Sequence, residues 1–441
     1  MLEAHVAAHP EEYATEQYAG FSASGDGSVA FPASAALEAE ELQRGSFRRD
    51  AGGVLAADYA GGAVATEQVT MVTAINDAIA SALRRDERTV VLGEDVGFGG
   101  VFRATAGLRD EFGAARVMNT PVSEQGIVAF AVGLSVAGSV VFLRWEGAVL
   151  FGSFVCRGPC DLCHHFMSHR TLSISVLPWL VPSSYKTVAE IQFADYIFPA
   201  FDQIVNEIAK YRSRTGGRGG HCGNIVIRAP CGSVGHGSMY HSQSVEAYFA
   251  HCPGLTVVVP RGPRQAKGLL SAAINCDDPV LFFEPKALYR ANFEGSEGEV
   301  PVEDYTLPLG VADVVAPGED VTLIGWGNQV ARLEDAAKRA AKRDGISCEV
   351  IDLQTIVPWD IETVVASVKK TGRCIVSHEA PSTNGFGAEL AASITEECFL
   401  HLEAPVTRVC GLDTHFPYAW EEFYLPSASR VHAAIKKVVE Y

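Results

Sequence analysis

The sequence predicts an α/β protein made of two doubly wound domains. From about residue 70 onwards, short apolar runs typical of buried parallel strands alternate with amphipathic stretches of helical period. An acidic, proline-containing stretch at 294–308 interrupts the alternation, which then resumes. Because β and α segments in turn imply a parallel sheet covered on both faces, we expect one domain at 67–300 and a second at 310–441.

The first series opens with a helix, because apolar residues recur at helical spacing from Met71 to Leu83 before Arg84 and Arg85. Another helix is predicted at 200–211. The predicted strands lie at 89–93, 116–118, 188–192, 224–228, 255–259 and 279–283. In the second series, we expect strands at 321–325, 348–352, 374–377 and 406–409, separated by helices.

Composition argues against several classes of protein. The chain has 441 residues, 48% of them hydrophobic, and a formal net charge of −18. Nucleic-acid binding needs a basic face for phosphates, so this charge disfavours it. No uncharged apolar run reaches the roughly 18 residues that suggest a membrane span. The eleven cysteines are scattered through mostly apolar segments, which favours buried thiols in a reducing compartment.

Residues 1–66 show no sustained periodicity and are rich in Ala, Gly, Ser and Glu, so we expect a disordered or variable segment. A mitochondrial or plastid presequence should be rich in Arg and nearly free of acids, whereas Glu11, Glu12 and Glu16 lie here. This end of the sequence therefore leaves localisation open.

A buried helix is predicted to begin at Glu124. Pro121 ends the preceding segment, Ser123 can cap a helix, and the residues from 127 to 138 are almost all apolar. The helix dipole favours a carboxylate in the first turn. Glu124 is therefore either an acid that only stabilises its helix or an acceptor aimed at a ligand.

Polar residues follow several of the predicted strands. The motifs GxSxG, GxxxxGK[ST], HExxH and GxGxxG are absent, so hydrolase, P-loop, zincin and Rossmann interpretations lose their usual support. Glu94, Gln192, Tyr196 and the loop 236–243, which contains His241, remain as candidates. Because ligands of open α/β sheets bind at the carboxyl ends of the strands, we expect these groups near a binding site.

The segment 139–185 does not fit the alternation. Its Trp, Pro and His residues neither extend the preceding helix nor alternate as a strand would. Structureless stretches longer than about 12 to 15 residues are uncommon inside compact domains. Cys156, Cys160, Cys163 and the histidines after them resemble a metal site, but no matching distal pair of ligands supports one.

Four long segments match one known family. They are GEDVGFGGVF at 93–102, NTPVSEQGIV at 119–128, AEIQFADYIFPAFDQ at 189–203 and YHSQS at 240–244. Together they resemble the β subunits of the E1 component of branched-chain 2-oxo acid dehydrogenases, from about residue 70 to the C-terminus except for 139–185. The segments GHGSMYHSQ at 235–243 and FFEPK at 282–286 favour this form over the pyruvate dehydrogenase form.

The resemblance implies a thiamine-enzyme pyrimidine-type domain followed by a transketolase C-terminal-type domain. It also implies thiamine diphosphate bound between this chain and an α subunit in an α2β2 heterotetramer, with the diphosphate and magnesium held by α. In the family pattern, Glu124 hydrogen-bonds N1′ of the aminopyrimidine and Tyr196 packs on that ring. Val122 and Gln192 line the same pocket, and Glu94 helps to shape it.

The implied reaction is the oxidative decarboxylation of branched-chain 2-oxo acids, that of a 3-methyl-2-oxobutanoate dehydrogenase (2-methylpropanoyl-transferring), with a disulfide acceptor in the mitochondrial matrix. His241 matches the family's active-site His, which is thought to assist acyl transfer to the lipoyl group of the E2 acyltransferase. Family β subunits also bind potassium, mainly through backbone carbonyls. The matching positions are Gly223, Ile225, Ala273, Cys276 and Asp278.

Two alternatives to this function stay open: pyruvate as the substrate, and a non-catalytic interaction subunit whose site the segment 139–185 has disabled. In the family, Gly138 is followed almost directly by Lys186. We hypothesise that 139–185 is a retained intron or gene-model error, because intact motif flanks it on both sides. The competing hypothesis is a genuine surface insertion.

Overall fold

The computed structural model describes residues 65–137, 185–215, 222, 224–292 and 298–441, and the backbone of 144–145 and 148–149. The predictions for most of residues 1–66, for the loop 216–223 and for almost all of 139–185, with its Cys and His residues, lie outside the described residues. All described residues belong to one unit of the chain, Gly53–Tyr441.

The strands of the described residues are, in chain order, β1 Thr66–Gln68, β2 Thr89–Gly93, β3 Val117–Asn119, β4 Arg144–Trp145, β5 Ala148–Val149, β6 Lys186–Glu190, β7 Ile225–Cys231, β8 Thr256–Val258, β9 Val280–Pro285, β10 Glu299–Pro301, β11 Asp313–Ala316, β12 Val321–Gly325, β13 Cys348–Asp352, β14 Thr355–Val357, β15 Cys374–Pro381 and β16 Thr407–Gly411.

The α-helices of the same residues are α1 Met71–Arg85, α2 Leu108–Phe112, α3 Glu124–Ala137, α4 Ala209–Arg214, α5 Glu246–Ala250, α6 Pro263–Ile274, α7 Gln329–Asp344, α8 Ile361–Thr371, α9 Phe386–Cys398, α10 Glu421–Tyr424 and α11 Ala428–Val439. A π-helical turn, Gln203–Ile208, precedes α4, so the helix predicted at 200–211 is irregular in its first half. Within the described part of the chain, no helix has the length and apolarity needed to cross a membrane.

Two doubly wound sheets form the fold, as predicted. The larger sheet has the order β14-β8-β9-β7-β6-β2-β3, and all its neighbouring strands are parallel except the edge pair β14 and β8. The smaller sheet has the order β11-β13-β12-β15-β16, with only β11 antiparallel to its neighbour. The central strands are buried along their whole length, which explains their continuous apolar runs.

Helix α1 forms because its apolar positions share one face and its start is capped. The Thr70 hydroxyl accepts a hydrogen bond from the Thr73 N–H at 3.3 Å, and Met71, Ile75 and Ile79 are fully buried. This face packs against α6 in the core of the larger sheet. Basic residues, including Arg85, occupy the last turn, where the helix dipole favours them.

The stretch 298–308, between the two series, packs on the first domain. Strand β10 pairs antiparallel with β1, and the side chains of Tyr305 and Leu307 are buried. Leu307 reaches the backbone of α6 at Gly268, where a Cβ would lie 2.6 Å from the Leu307 side chain. The acidic composition of the stretch masks these single apolar anchors in the sequence.

The second half of the chain also completes the first sheet. Strand β14 pairs antiparallel with β8, and the N–H of Val259 donates to the carbonyl of Gln354 at 2.8 Å. Sequence patterning did not predict this three-residue strand, because its partner lies almost 100 residues earlier in the chain and the run is too short to show a period. The two sheets are therefore linked by backbone hydrogen bonds as well as by the chain.

Candidate active site

The sheet order places four polar segments next to one another. Strands β7, β6, β2 and β3 are consecutive neighbours, and each is followed at its carboxyl end by candidate residues. Glu94 follows β2, Val122 and Glu124 follow β3, Gln192 and Tyr196 follow β6, and the loop that carries His241 follows β7. Residues far apart in the sequence thus share one edge of the sheet.

Gln192 links the ends of β2 and β6 by hydrogen bonds. Its Nε2 donates to the backbone carbonyl of Glu94 at 2.6 Å and to Oε1 of Glu190 at 3.0 Å, while its Oε1 accepts the N–H of Val101 at 2.8 Å. The side chain is buried and uses its donor and acceptor groups on the protein itself. Gln192 therefore fixes the loop after β2 relative to β6.

A buried ion network lies beneath Gln192. Arg228 on β7 donates Nη1 to Glu190 at 2.6 Å and forms a bidentate pair with Glu284 at 2.7 and 2.9 Å. Tyr289 completes the network by donating its hydroxyl to Glu284 at 2.5 Å. Burial raises the pKa of Glu190 in spite of the nearby Arg228, whereas Glu284 and Glu190 outweigh the effect of burial on Arg228 and raise its pKa.

Glu94 and Glu124, an acidic pair, follow the neighbouring strands β2 and β3. Burial, followed by the charges of Glu124 and Asp95, raises the pKa of Glu94. Glu124 begins α3 and is half-buried, and the Ser123 hydroxyl caps this helix by accepting the N–H of Gly126 at 3.3 Å, as the sequence predicted. The helix dipole favours the ionised form of a carboxylate placed there.

Helix α3 is less buried than its composition predicts. Ile127, Val128 and Ala131 are buried, but the side chain of Phe130 is 49% exposed, and Val122 just before the helix is 83% exposed. The expectation that an apolar helix would be enclosed on all sides is therefore wrong for this single chain. Its outer face leaves apolar surface in contact with solvent next to Glu124.

Tyr196 and His241 are joined by a hydrogen bond. The Tyr196 hydroxyl lies 3.2 Å from Nε2 of His241, and the two rings meet edge to face with centroids 5.6 Å apart. Phe193 packs against both, 5.9 Å from the Tyr196 ring and 4.7 Å from the His241 ring. The ring of Tyr196 is 36% exposed, so it keeps one surface free for a ligand.

Sequence reasoning missed the residues that support this site. Asp195 accepts hydrogen bonds from the backbone N–H groups of the two residues after His241. Asn119 accepts the N–H of Gly97 at 2.6 Å. Thr120, directly after β3, has a buried hydroxyl. Asp195 and Asn119 lie within the matching segments 189–203 and 119–128, so the signal was present, but only the fold shows what these side chains contact.

The positions proposed for potassium converge at the opposite end of the larger sheet. The carbonyl of Ala273 accepts the N–H of Cys276 at 3.1 Å, and the carbonyl of Cys276 accepts the N–H of Asn224, next to Ile225, at 3.2 Å. Asp278 pairs with Arg212 at 2.6 Å. Gly223 lies outside the described residues, among which no group of three His, Cys, Asp or Glu residues could hold a metal ion.

Comparison with known proteins identifies both domains. The transketolase pyrimidine binding domain matches residues 67–179 and 182–292, and the transketolase C-terminal domain matches residues 310–431. A split-gene transketolase, solved as an inactive β4 tetramer, has a similar fold, with a TM-score of 0.59 over 85% of this chain and 99% of that chain. Its 21% identity supports a shared fold and nothing further.

Curated relatives are much closer in sequence. The mitochondrial 2-oxoisovalerate dehydrogenase subunit beta of Dictyostelium discoideum is 51% identical over 375 residues, which cover 85% of this chain and 88% of that protein. The pyruvate dehydrogenase E1 component subunit beta of Staphylococcus epidermidis is 40% identical and covers 85% and 99%, respectively. From these matches along both domains, the chain belongs to the family of 2-oxoisovalerate dehydrogenase β subunits, which has the transketolase-like two-domain fold.

Proposed function

We propose that this chain is the β subunit of a branched-chain 2-oxo acid dehydrogenase E1 component. With its α partner it decarboxylates branched-chain 2-oxo acids oxidatively and transfers the acyl group to the lipoyl group of an E2 acyltransferase, the disulfide acceptor. The observation that carries the proposal is that Glu94, Glu124, Tyr196 and His241 all follow the carboxyl ends of neighbouring strands, with the Tyr196 hydroxyl 3.2 Å from Nε2 of His241.

The residues at this edge fit thiamine diphosphate. Oε1 of Glu94 and the hydroxyl oxygen of Thr120 are buried and have no hydrogen-bond partner among the described residues. Buried polar atoms without partners are costly, so such atoms beside a ligand site are well explained by a ligand. The exposed side chain of Val122 and the half-exposed ring of Tyr196 supply apolar surface for an aromatic ring.

Thiamine diphosphate, when bound, supplies a nucleophilic carbon for attack on the 2-oxo group. Glu124 would hold the pyrimidine by accepting a hydrogen bond at N1′, because a carboxylate stabilises the protonated state of a ring nitrogen, and a dry site would strengthen this effect. Gln192 holds the loop after β2 so that Glu94 closes one side of the pocket, and Tyr196 offers its ring as a packing surface.

His241 then acts in acyl transfer. Its Nε2 already lies within hydrogen-bond distance of the Tyr196 hydroxyl, which fixes the direction of the imidazole. A positioned imidazole is a common general acid or base. We assign to it the proton that the lipoyl group exchanges during transfer.

The α partner completes the site in an α2β2 heterotetramer and holds the diphosphate and magnesium. The exposed apolar side chains of Val122 and Phe130, which flank Glu124, support a partner at this face. The net charge of −18 also leaves an anionic cofactor in need of cations from elsewhere. Because the Dictyostelium relative is named mitochondrial, we place this chain in the mitochondrial matrix.

Potassium is proposed for the carbonyl groups near Ile225, Ala273, Cys276 and Asp278. Three of these residues lie where α6 ends and the chain turns towards β9, and Ile225 begins β7 beside them. A cation bound only in the folded state raises stability with its concentration. Replacing potassium by sodium at equal ionic strength should therefore lower the melting temperature of the E1 complex.

Substrate comparison separates this function from the alternatives. The α and β subunits are co-expressed, and decarboxylation of 3-methyl-2-oxobutanoate and of pyruvate is measured with an artificial electron acceptor. We expect a higher kcat/KM for the branched acid. A preference for pyruvate would favour the pyruvate dehydrogenase function, which the 40% identical Staphylococcus relative represents. No activity with either acid in a cofactor-loaded complex would favour the non-catalytic subunit.

A further inference from the structure

The loop that carries His241 has no regular strand or long helix to hold it. It runs from Gly232 to Gln243 between β7 and α5 and contains one three-residue 3-10 turn, Ser238–Tyr240. Gly232, Gly235, His236 and Ser238 all have positive φ. Such a backbone keeps its shape only when surrounding contacts determine it.

Three carboxylates supply those contacts by accepting hydrogen bonds from the loop backbone. Asp195 accepts the N–H groups of Ser242 and Gln243 at 3.3 and 3.1 Å. Glu379 accepts the N–H of Ser233 at 3.1 Å. Glu421 accepts the N–H groups of Gly235 and His236 at 3.0 and 2.9 Å. Hydrogen bonds to a charged acceptor are about twice as strong as neutral ones.

Two of these acids come from the second domain. Glu379 lies on β15 and also accepts Nδ2 of Asn328 at 2.9 Å, and Glu421 begins α10. Gly232 allows Glu379 to approach, since a Cβ at this position would lie 2.8 Å from Oε2 of Glu379. The second domain therefore holds the loop before His241, while Asp195 of the first domain holds the loop after it.

Lys286, which follows β9, carries a buried ammonium. The residue is only 3% exposed, and its Nζ has no hydrogen-bond partner among the described residues. Burial lowers the pKa of Lys286, and the charges of Asp195, Glu379 and Glu421 act in the opposite direction. A second oxygen of Asp195, Oδ2, is likewise buried without a partner, so the two unpaired groups have opposite charge.

Lys286 also lies against the aromatic group at His241. Its Nζ is 5.7 Å from the centroid of the Phe193 ring, and that ring contacts the His241 ring at 4.7 Å. The ammonium is therefore connected to the catalytic candidate through the ring that packs on it.

We propose that Lys286 is a positioning residue whose buried ammonium supports the Phe193 ring behind His241 and attracts the carboxylates of Asp195, Glu379 and Glu421, and so fixes the loop that presents His241. The role assigned to His241 rests on the proposed function, but the fixing of the loop does not. Without this positive charge, the Phe193 ring loses the cation beside it, and the carboxylates that hold the loop lose a longer-range attraction that is weakly screened in a buried region.

The test uses the reconstituted α/β complex with Lys286→Met, which keeps the length and volume of the side chain and removes its charge. Hydrogen–deuterium exchange reports on the backbone N–H groups of 233–243, and acyl transfer to a lipoyl domain is compared with decarboxylation. The matched control is Lys267→Met, a buried lysine that pairs with Asp77 at 2.6 Å away from the loop.

We expect Lys286→Met to speed exchange in 233–243 by about tenfold or more, because hydrogen bonds to charged groups are lost or weakened. Acyl transfer should fall by more than decarboxylation does, whereas Lys267→Met should leave exchange in the loop unchanged. Unchanged exchange and transfer in Lys286→Met would overturn the proposal.

Glu421→Gln serves if Lys286→Met does not assemble. It weakens the acceptor of the Gly235 and His236 N–H groups at a half-exposed position, and the exposed neighbour Glu422→Gln is its control. Faster exchange in 233–243 for Glu421→Gln alone supports the proposal, and equal exchange in both variants contradicts it. If the loop loosens as expected but the wild-type complex has no decarboxylase activity, the proposed function fails while the positioning role stands.

Discussion

The hydroxyl of Ser135 lies 3.3 Å from the hydroxyl of Thr187, with the whole segment 139–185 between them in the sequence. Ser135 is in the last turn of α3 and Thr187 is the second residue of β6, and both side chains are buried. The helix end and the strand start therefore meet as they would in a chain that joined them directly. Glu124, at the start of this helix, and Tyr196, after this strand, are therefore carried by two elements that pack directly on each other.

This closeness predicts that 139–185 is dispensable for folding. A variant that joins Gly138 to Lys186 should assemble with α, melt within a few degrees of the full chain, and decarboxylate at least as fast, because short closed loops cost less entropy than long ones. Melting and activity of the two complexes are compared side by side. Loss of assembly in the shortened variant would mean that the segment contributes to the fold.

Peptide mass spectrometry of the native protein decides whether the segment occurs in it. A peptide that runs from Gly138 closely into Lys186 supports the hypothesis of a retained intron or gene-model error. Tryptic peptides from within 145–185 refute that hypothesis and establish an insertion.

Removing Arg228 should destabilise the protein strongly. Arg228→Met leaves Glu190 and Glu284 buried without their cation, and breaking a buried ion pair from one side typically costs about 3–5 kcal/mol. Chemical denaturation of the complex measures the loss. The exposed pair Arg84 and Glu111 provides the control, because Arg84→Met should change stability by less than about 1 kcal/mol. If both variants lost the same free energy of unfolding, the buried ion network would contribute no more to stability than an exposed pair, contrary to this prediction.

Glu246 predicts a pH dependence of stability. Burial raises the pKa of this carboxyl to about 7, and its Oε1 accepts Nε1–H of Trp326 at 3.3 Å across the two domains. The ionised form of Glu246 is disfavoured only in the folded state. The protein therefore keeps its full stability below the pKa of 4.5 that an unperturbed Glu has, and loses stability as the pH rises from there towards 7. The loss amounts to about 3 kcal/mol, at roughly 1.4 kcal/mol per pH unit.

Glu246→Gln removes that loss while keeping an oxygen for the Trp326 N–H. The wild-type complex should therefore lose more melting temperature between pH 5 and pH 8 than the variant does. If the melting temperatures of the two proteins changed equally with pH over this range, Glu246 would not be the source of the pH dependence.

Sequence patterning predicted the parts of the fold that have a strong local signal. Strands β2, β12 and β13 begin and end at the predicted residues because each contains consecutive apolar residues flanked by polar ones. Strand β14 and the packed stretch around Tyr305 were missed, since their stability comes from partners remote in the sequence.

The candidate site follows the same rule. Glu124 and its cap by Ser123 are local, and the motifs placed Gln192 and Tyr196 on the same edge. Lys286 and Glu421 were not predicted, because nothing near them in the sequence indicates that they meet the His241 loop. Only the packing of the second domain on the first reveals their part.

The central claim is that the carboxylate of Glu124 is essential for catalysis. Decarboxylation by the reconstituted α/β complex tests this claim most directly. Glu124→Gln keeps the size of the side chain but removes the charge that we propose stabilises the protonated ring nitrogen of the cofactor. The control is Glu87→Gln, an exposed acid before β2, at the other end of that strand. We predict that Glu124→Gln abolishes decarboxylation of 3-methyl-2-oxobutanoate while Glu87→Gln leaves it unchanged. Wild-type rates in Glu124→Gln would contradict the assignment.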